Sequence, residues 1–197
     1  SIDLMGKFSR EMGIHVWLRQ GGYLFLAKSR RVADRLERSA ALQNRCGVPT
    51  QLMSADGARD LVPELALDGV ILCAYNRKDG VVFPWPFLWG YGQSVLRHGG
   101  RIETFTRVTG FEISSGLVRK VMTDRGDVAC DTVVLAAGAW SPEVAKLAGV
   151  ELPNKPQRHE ILATEPLKPF LNPLVSVLDS GLYFSQSMRG ELVGGMA

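Results

Sequence analysis

The chain has 197 residues, 46% of them hydrophobic and 22% charged, with a formal net charge of +3. That length supports one good core or one and a half domains, and the composition is that of a soluble globular protein. The small positive excess gives no footing for nucleic-acid binding, no apolar run approaches the ~20 residues that cross a bilayer, and no basic-then-apolar leader opens the chain.

Cys46, Cys73 and Cys130 are an odd, widely spaced set, and His15, His98 and His159 are scattered. Neither a disulfide framework nor a metal-ligand spacing is present, so free thiols in a reducing, cytoplasmic compartment and no metal site are expected.

Leu4, Met5, Phe8 and Met12 fall on one helical face, and Gly13 ends it. His15–Leu18 and Tyr23–Leu26 read as two strands of a hairpin turning at Gly21-Gly22. Ser29 caps a helix that runs to about Cys46, with Val32, Ala33, Leu36 and Ala40 as its apolar stripe and Gly47 as its stop. Six basic residues from Lys28 to Arg45 face only Asp34 and Glu37. This reads as a solvated outer face, with docking of an acidic partner as the alternative. No aromatic residues are interleaved to stack bases.

Ser54 opens a short helix ending near Pro63, and Gly69–Ala74 reads as a strand. Asp79-Gly80 marks a turn, Val81–Phe83 a brief strand, and Pro86 the start of a helix through Leu96. Residues 102–104, 107–113, 118–123 and 133–136 predict a small antiparallel ribbon that feeds a strand buried on both faces. After that strand come Ala136-Ala137-Gly138-Ala139, whose small side chains admit a flat ligand or another backbone. Ser141 as N-cap and Pro142 at the first helical position then open a helix with Val144, Leu147 and Ala148 on one face, stopped by Gly149. Strands are predicted over 160–164, 174–178 and 182–185, with a hairpin turn at Asp179-Ser180-Gly181, and a strand-like pattern closes the chain from Glu191. The expected fold is α/β (α+β): a largely antiparallel sheet with flanking helices plus part of a Rossmann-like unit.

The string AAGAWS at 136–141 resembles the flavin-binding signature of the D-amino-acid oxidase-like family of FAD-dependent amine oxidoreductases. GYLFLA, DGVVFPWPFLWGY, RVTGFE, PQRHEILATEPLKP and GLYFSQSMRGELVGG extend the likeness over nearly the whole chain. Their order is most similar to the sarcosine oxidase β-subunit and sarcosine/dimethylglycine dehydrogenase branch.

The resemblance implies a substrate-domain sheet over residues 14–78 and 151–197, and part of the FAD-binding domain over 79–150. It implies FAD as cofactor, with Val108 meeting the adenine through its backbone, and with Ala137, Gly138 and Trp140 along the flavin nucleotide. Tyr183 matches the neighbourhood of a substrate-facing tyrosine. The implied reaction passes a hydride from the α-carbon of a sarcosine-like N-methyl amino acid to the flavin, after which the imine hydrolyses. A dry pocket with Arg, Lys or a tyrosine hydroxyl is needed to clamp a carboxylate.

Arg158 and His159 are expected on opposite faces of one strand, and Arg189 in a turn. Met196 stands where related monomeric enzymes carry a histidine. Phe83-Pro84-Trp85-Pro86 replaces the histidine that attaches covalent flavin, so no covalent link is expected. The G-x-G-x-x-G fingerprint of the family has no match here. The chain is therefore expected to be an internal piece of a larger flavoprotein, inactive in isolation, with self-association or partner subunits covering exposed apolar surface. The competing reading is a non-catalytic interaction module that no longer binds flavin.

Overall fold

In the computed structural model, which describes residues 2–196, the ladder that organises the chain is a seven-stranded mixed sheet. Its order is β2 (Gln51–Met53), β3 (Leu72–Asn76), β1 (Tyr23–Ala27), β8 (Leu174–Val177), β9 (Leu182–Gln186), β10 (Leu192–Met196) and β7 (Ile161–Ala163). Every pairing is antiparallel except β1 with β8. The chain divides into two compact units, Ser1–Ser94 with His159–Ala197, and Val95–Arg158.

Side-chain alternation gives the sheet of the first unit two apolar faces. Leu24, Leu26, Cys73 and Val175 point to one face and pack with Ala58, Val62, Leu67 and Leu171, all buried. Ala58 and Val62 belong to α3 (Ala55–Leu61) and its C-cap. Ala27 and Ala74 lie on the opposite face beneath α2 (Arg30–Arg45), where Val32, Ala33 and Leu36 complete a second cluster. The predicted apolar stripe of α2 is the buried one, and Ser29 Oγ accepts the Val32 N–H as N-cap. α1 (Ile2–Met12) buries Phe8, whose ring meets Phe87 and Tyr91 of α4 (Pro84–Arg97) at 4.6 and 5.0 Å. Gly90 of α4 lets that ring in, since a Cβ there would sit 2.6 Å from it. None of the described helices is long and apolar enough to cross a membrane.

The second unit holds an antiparallel ribbon of β4 (Val108–Ser114), β5 (Leu117–Thr123) and β6 (Val128–Ala129). A 3-10 turn at Gly138–Trp140 leads into α5 (Ser141–Leu147), which packs on β4. Gly149, at φ +73°, ends that helix, with its N–H donating to the Lys146 carbonyl.

Several expectations are corrected. Residues 15–26 do not form a hairpin. Residues 16–22 run against 79–83 instead, through Arg19–Val81 backbone bonds of 2.9 Å in both directions and a Gly22 N–H to Asp79 carbonyl bond. Gly21 and Gly22 serve close approach, because a Cβ would fall 2.0 Å from the Asn172 carbonyl oxygen or 2.3 Å from the Tyr75 ring. Val81–Phe83 forms no strand: it makes the isolated bridge at Val81 and a 3.4 Å bond from the Phe83 N–H to the Val16 carbonyl.

β3 starts at Leu72 rather than Gly69, and α4 at Pro84 rather than Pro86. Residues 102–104 and 133–136 are not strands; no strand among the described residues pairs with 133–136, and Val134 is 86% exposed. Ser141 is the first residue of α5 rather than its cap, since the preceding turn already delivers helical backbone at Trp140, which occupies the N-cap without a side-chain bond. Arg158 and His159 precede β7 and share no strand.

Candidate functional site

A cleft of about 720 Å³ opens in the first unit, over the β7–β10–β9 end of the sheet. Its floor follows from register. Ala163, Val193 and Ser185 stand in one cross-strand row and all line it. The neighbouring row on that face is Ile161, Gly195 and Tyr183. Glycines 194 and 195 bring the strands to this spacing: a Cβ on Gly194 would sit 2.0 Å from the Tyr183 carbonyl oxygen, and one on Gly195 would sit 2.4 Å from the Glu160 carbonyl oxygen. Tyr183 is half-buried and shares the face but not the lining, with its hydroxyl 3.6 Å from where a Gly195 Cβ would be.

Trp17 and Phe83 form an aromatic wall, with ring centroids 5.3 Å apart and tilted by 33°. Trp17 takes φ +50°, a left-handed conformation that a bulky residue rarely adopts. Its N–H donates to His15 Nδ1 at 3.0 Å.

Two arginines line the cleft, Arg189, which pairs with Glu191, and Arg19, which has no carboxylate partner among the described residues. The Arg19 Nη2 donates to the Gln186 carbonyl at 2.5 Å and its Nη1 to the Leu171 carbonyl at 3.4 Å. Burial lowers the pKa of this guanidinium from its ordinary value, though it stays charged at any ordinary pH. No carboxylate among the described residues pairs with it. Glu191, the acid in the lining, is engaged elsewhere: it accepts from the Ser187 hydroxyl and pairs with Arg189 at 2.6 Å. The Ser187 hydrogen bond, ahead of Arg189, holds the Glu191 carboxyl below its ordinary value. An apolar cleft containing a guanidinium with unused donors is a carboxylate-binding arrangement.

The other sequence-predicted residues lie in the second unit. Val108 begins β4 and is half-buried. Ala137 caps the 3-10 turn of Gly138–Trp140, and Trp140 is 67% exposed. Gly138 adopts φ +55°, and the space where its Cβ would project is open. Accessible backbone flanked by methyl groups and an exposed indole fits one contact strip of a flat dinucleotide.

The structure thus gathers Val108, Ala137, Gly138 and Trp140 in one unit and Tyr183 in the other. It also assigns weight to Arg19 and Gln186, which sequence reading passed over. The one available signal was an arginine in the apolar stretch HVWLRQGG with no acidic neighbour.

The family model described as FAD dependent oxidoreductase matches residues 1–197. Sarcosine oxidase subunit beta of Rhizobium meliloti (strain 1021) is 29% identical over 99% of this chain and 48% of its own length. Human mitochondrial sarcosine dehydrogenase is 26% identical over 96% of this chain and 21% of its own length. Among solved structures, L-proline dehydrogenase from P. horikoshii superposes with a TM-score of 0.91 at 30% identity, covering 100% of this chain and 53% of that one. Glycine oxidase from Geobacillus kaustophilus shares the fold, with a TM-score of 0.84 at 24% identity over 99% of this chain and 52% of that one. The chain spans less than half the length of these curated relatives. It belongs to the FAD-dependent oxidoreductase family, whose cofactor is FAD.

Proposed function

We propose that this member of the FAD-dependent oxidoreductases contributes the substrate-binding face of an enzyme that oxidises a small amino acid at its C–N bond, with N-methyl amino acids such as sarcosine as the preferred class. The observation that carries the reading is the Arg19 guanidinium, with no carboxylate partner among the described residues, in an apolar cleft beside the Tyr183 row of the sheet. Sarcosine oxidase subunit beta and sarcosine dehydrogenase among the relatives support the substrate class.

In this reading the sheet regions 14–78 and 151–197 are the substrate domain, and 79–150 belongs with the FAD-binding domain. Arg19 orients the carboxylate by charge-assisted hydrogen bonds, and Trp17 and Phe83 keep water from the apolar end of the substrate. Tyr183 presents its hydroxyl on the substrate side of the sheet. Val108, Ala137, Gly138 and Trp140 hold FAD through backbone groups and ring contact. FAD, when bound, supplies the hydride acceptor. The free thiols Cys46, Cys73 and Cys130 fit a cytoplasmic setting.

The test is an anaerobic visible spectrum of the full-length protein with sarcosine, dimethylglycine, proline and glycine added in turn. Bleaching of the flavin band by an N-methyl amino acid is expected. No flavin band after reconstitution with FAD would overturn the reading. A second reading, an interaction module, draws on the exposed Trp85, Leu88, Trp89 and Tyr91 of α4. These exposed apolar side chains suit self-association or a partner subunit.

A further inference from the structure

We propose that Gln186 is a positioning residue for Arg19, and that it sets how strongly the cleft prefers a carboxylate; the inference rests on the Arg19 reading above. Gln186 is 2% exposed and is one of the few polar side chains in the core. Its Oε1 accepts from the Phe170 and Leu171 N–H groups at 2.9 and 3.0 Å. Its Nε2 donates toward the carbonyls of Lys168 and Gly190 at 3.0 Å each, and of Leu167 at 3.4 Å. One amide therefore ties the 167–171 loop to the turn after β9, using its full donor and acceptor capacity.

The carbonyls that hold the Arg19 guanidinium are those of Leu171 and of Gln186 itself. Both belong to residues that this amide fixes. Leu171 is held at its N–H by Oε1 while its carbonyl accepts from Arg19, so the amide fixes the residue whose carbonyl holds the guanidinium. The turn is tight against the loop: Gly190 sits at φ +105°, and a Cβ there would lie 2.3 Å from the Leu167 carbonyl oxygen.

Neutral holders matter for the chemistry. A carboxylate in their place would fix the guanidinium equally well but cancel its charge. Carbonyl dipoles fix it and leave a full positive charge, with three of its five N–H donors unassigned, for an incoming anion. An aliphatic side chain at 186 would fill the same space without aligning the two carbonyls. The buried amide therefore serves the orientation of Arg19 as well as the packing of the loop.

The test uses the full-length FAD-loaded protein and a pair of probes with no amine to oxidise, methoxyacetate and methoxyacetamide, with Kd measured by calorimetry. Wild type should prefer the carboxylate, and Arg19→Met should abolish the preference. Gln186→Met should cut the preference by about tenfold, the scale of one charge-assisted hydrogen bond, while the carboxamide Kd stays within about twofold. A general loss of packing would weaken both probes alike, and that outcome overturns the positioning role. Full preference in Gln186→Met with loss in Arg19→Met overturns the positioning role and leaves the Arg19 reading standing. Full preference in Arg19→Met overturns both. If Gln186→Met fails to fold, Gln186→Asn decides: it stays uncharged but falls one methylene short of the Phe170, Leu171, Lys168 and Gly190 backbone groups. Lost preference with an unchanged carboxamide Kd supports the proposal, and retained preference overturns it.

Discussion

Replacing Asp179 with alanine should loosen the attachment of α2 to the sheet. Asp179 lies in the β8–β9 turn, yet its carboxylate accepts from the backbone N–H groups of Lys28 and Ser29 at 2.7 and 3.0 Å, directly before α2. That helix begins with Arg30 and Arg31 and has no acidic residue in its first turn, the wrong charge for a helix N-terminus. Asp179 supplies from the turn the negative charge the helix lacks. Its hydrogen bond from Lys28, then those from Ser29, hold its carboxyl below the usual range.

The site is exposed, so the two bonds and the dipole term together are worth about 1–2 kcal/mol. For a chain of this size that corresponds to a Tm lower by roughly 3–6 °C. Because the folded pKa is depressed, the contribution is full above the unfolded aspartate value of about 4 and is lost as pH falls through the folded value. Thermal unfolding followed by circular dichroism at pH 7 and again below pH 3 should show the wild-type advantage at the first and its decline at the second. An Asp179→Ala Tm within 1 °C or so of wild type at pH 7 would refute the reasoning, as would a gap that persists undiminished in acid.

Leu24→Ala removes a fully buried side chain from the core cluster that includes Val62, Val175 and Leu171, and should cost about 3 kcal/mol in urea unfolding. Burial pushes the Cys73 thiol up to about 11, whereas Cys46 is exposed. A thiol reagent at pH 7 should therefore label Cys46 promptly and Cys73 only on unfolding. On the proposed FAD placement, Trp140→Ala should weaken FAD binding by about three- to tenfold in a fluorescence titration, on the scale of one ring–ring contact, and should leave the melting of the flavin-free protein unchanged. Tyr183→Phe should lower kcat/KM for the amine substrate while preserving the flavin spectrum.

The elements read correctly in advance are those whose determinants are local. Ser29, the Val32–Ala40 stripe and Gly47 specify α2 within one stretch, and Asp179-Ser180-Gly181 specifies the β8–β9 turn in three residues. The errors have a shared cause, which is that a backbone ladder is a property of two segments. Tyr23–Leu26 was legible as a strand, but its parallel partner comes from 174–177 and its antiparallel one from 72–76. Gly21-Gly22 carries every local mark of a hairpin. Those glycines are demanded instead by Asn172 and Tyr75, which no window around them contains.

Val133-Val134-Leu135 shows the same limit from the other side. β-Branched apolar composition states what such a run would bury, while the partner ladder must come from elsewhere, and none of the described strands supplies it. Arg19 follows the same logic at the level of chemistry. In the sequence it is an ordinary basic residue beside a turn. It becomes a held, unneutralised cation only when Leu171 and Gln186, more than a hundred and fifty residues later, bring their carbonyls to it. The amide that aligns those carbonyls is itself assembled from five backbone groups between 167 and 190. A glutamine in the string YFSQS gives no local sign of that work, because the sign is its burial, and burial is a property of the fold.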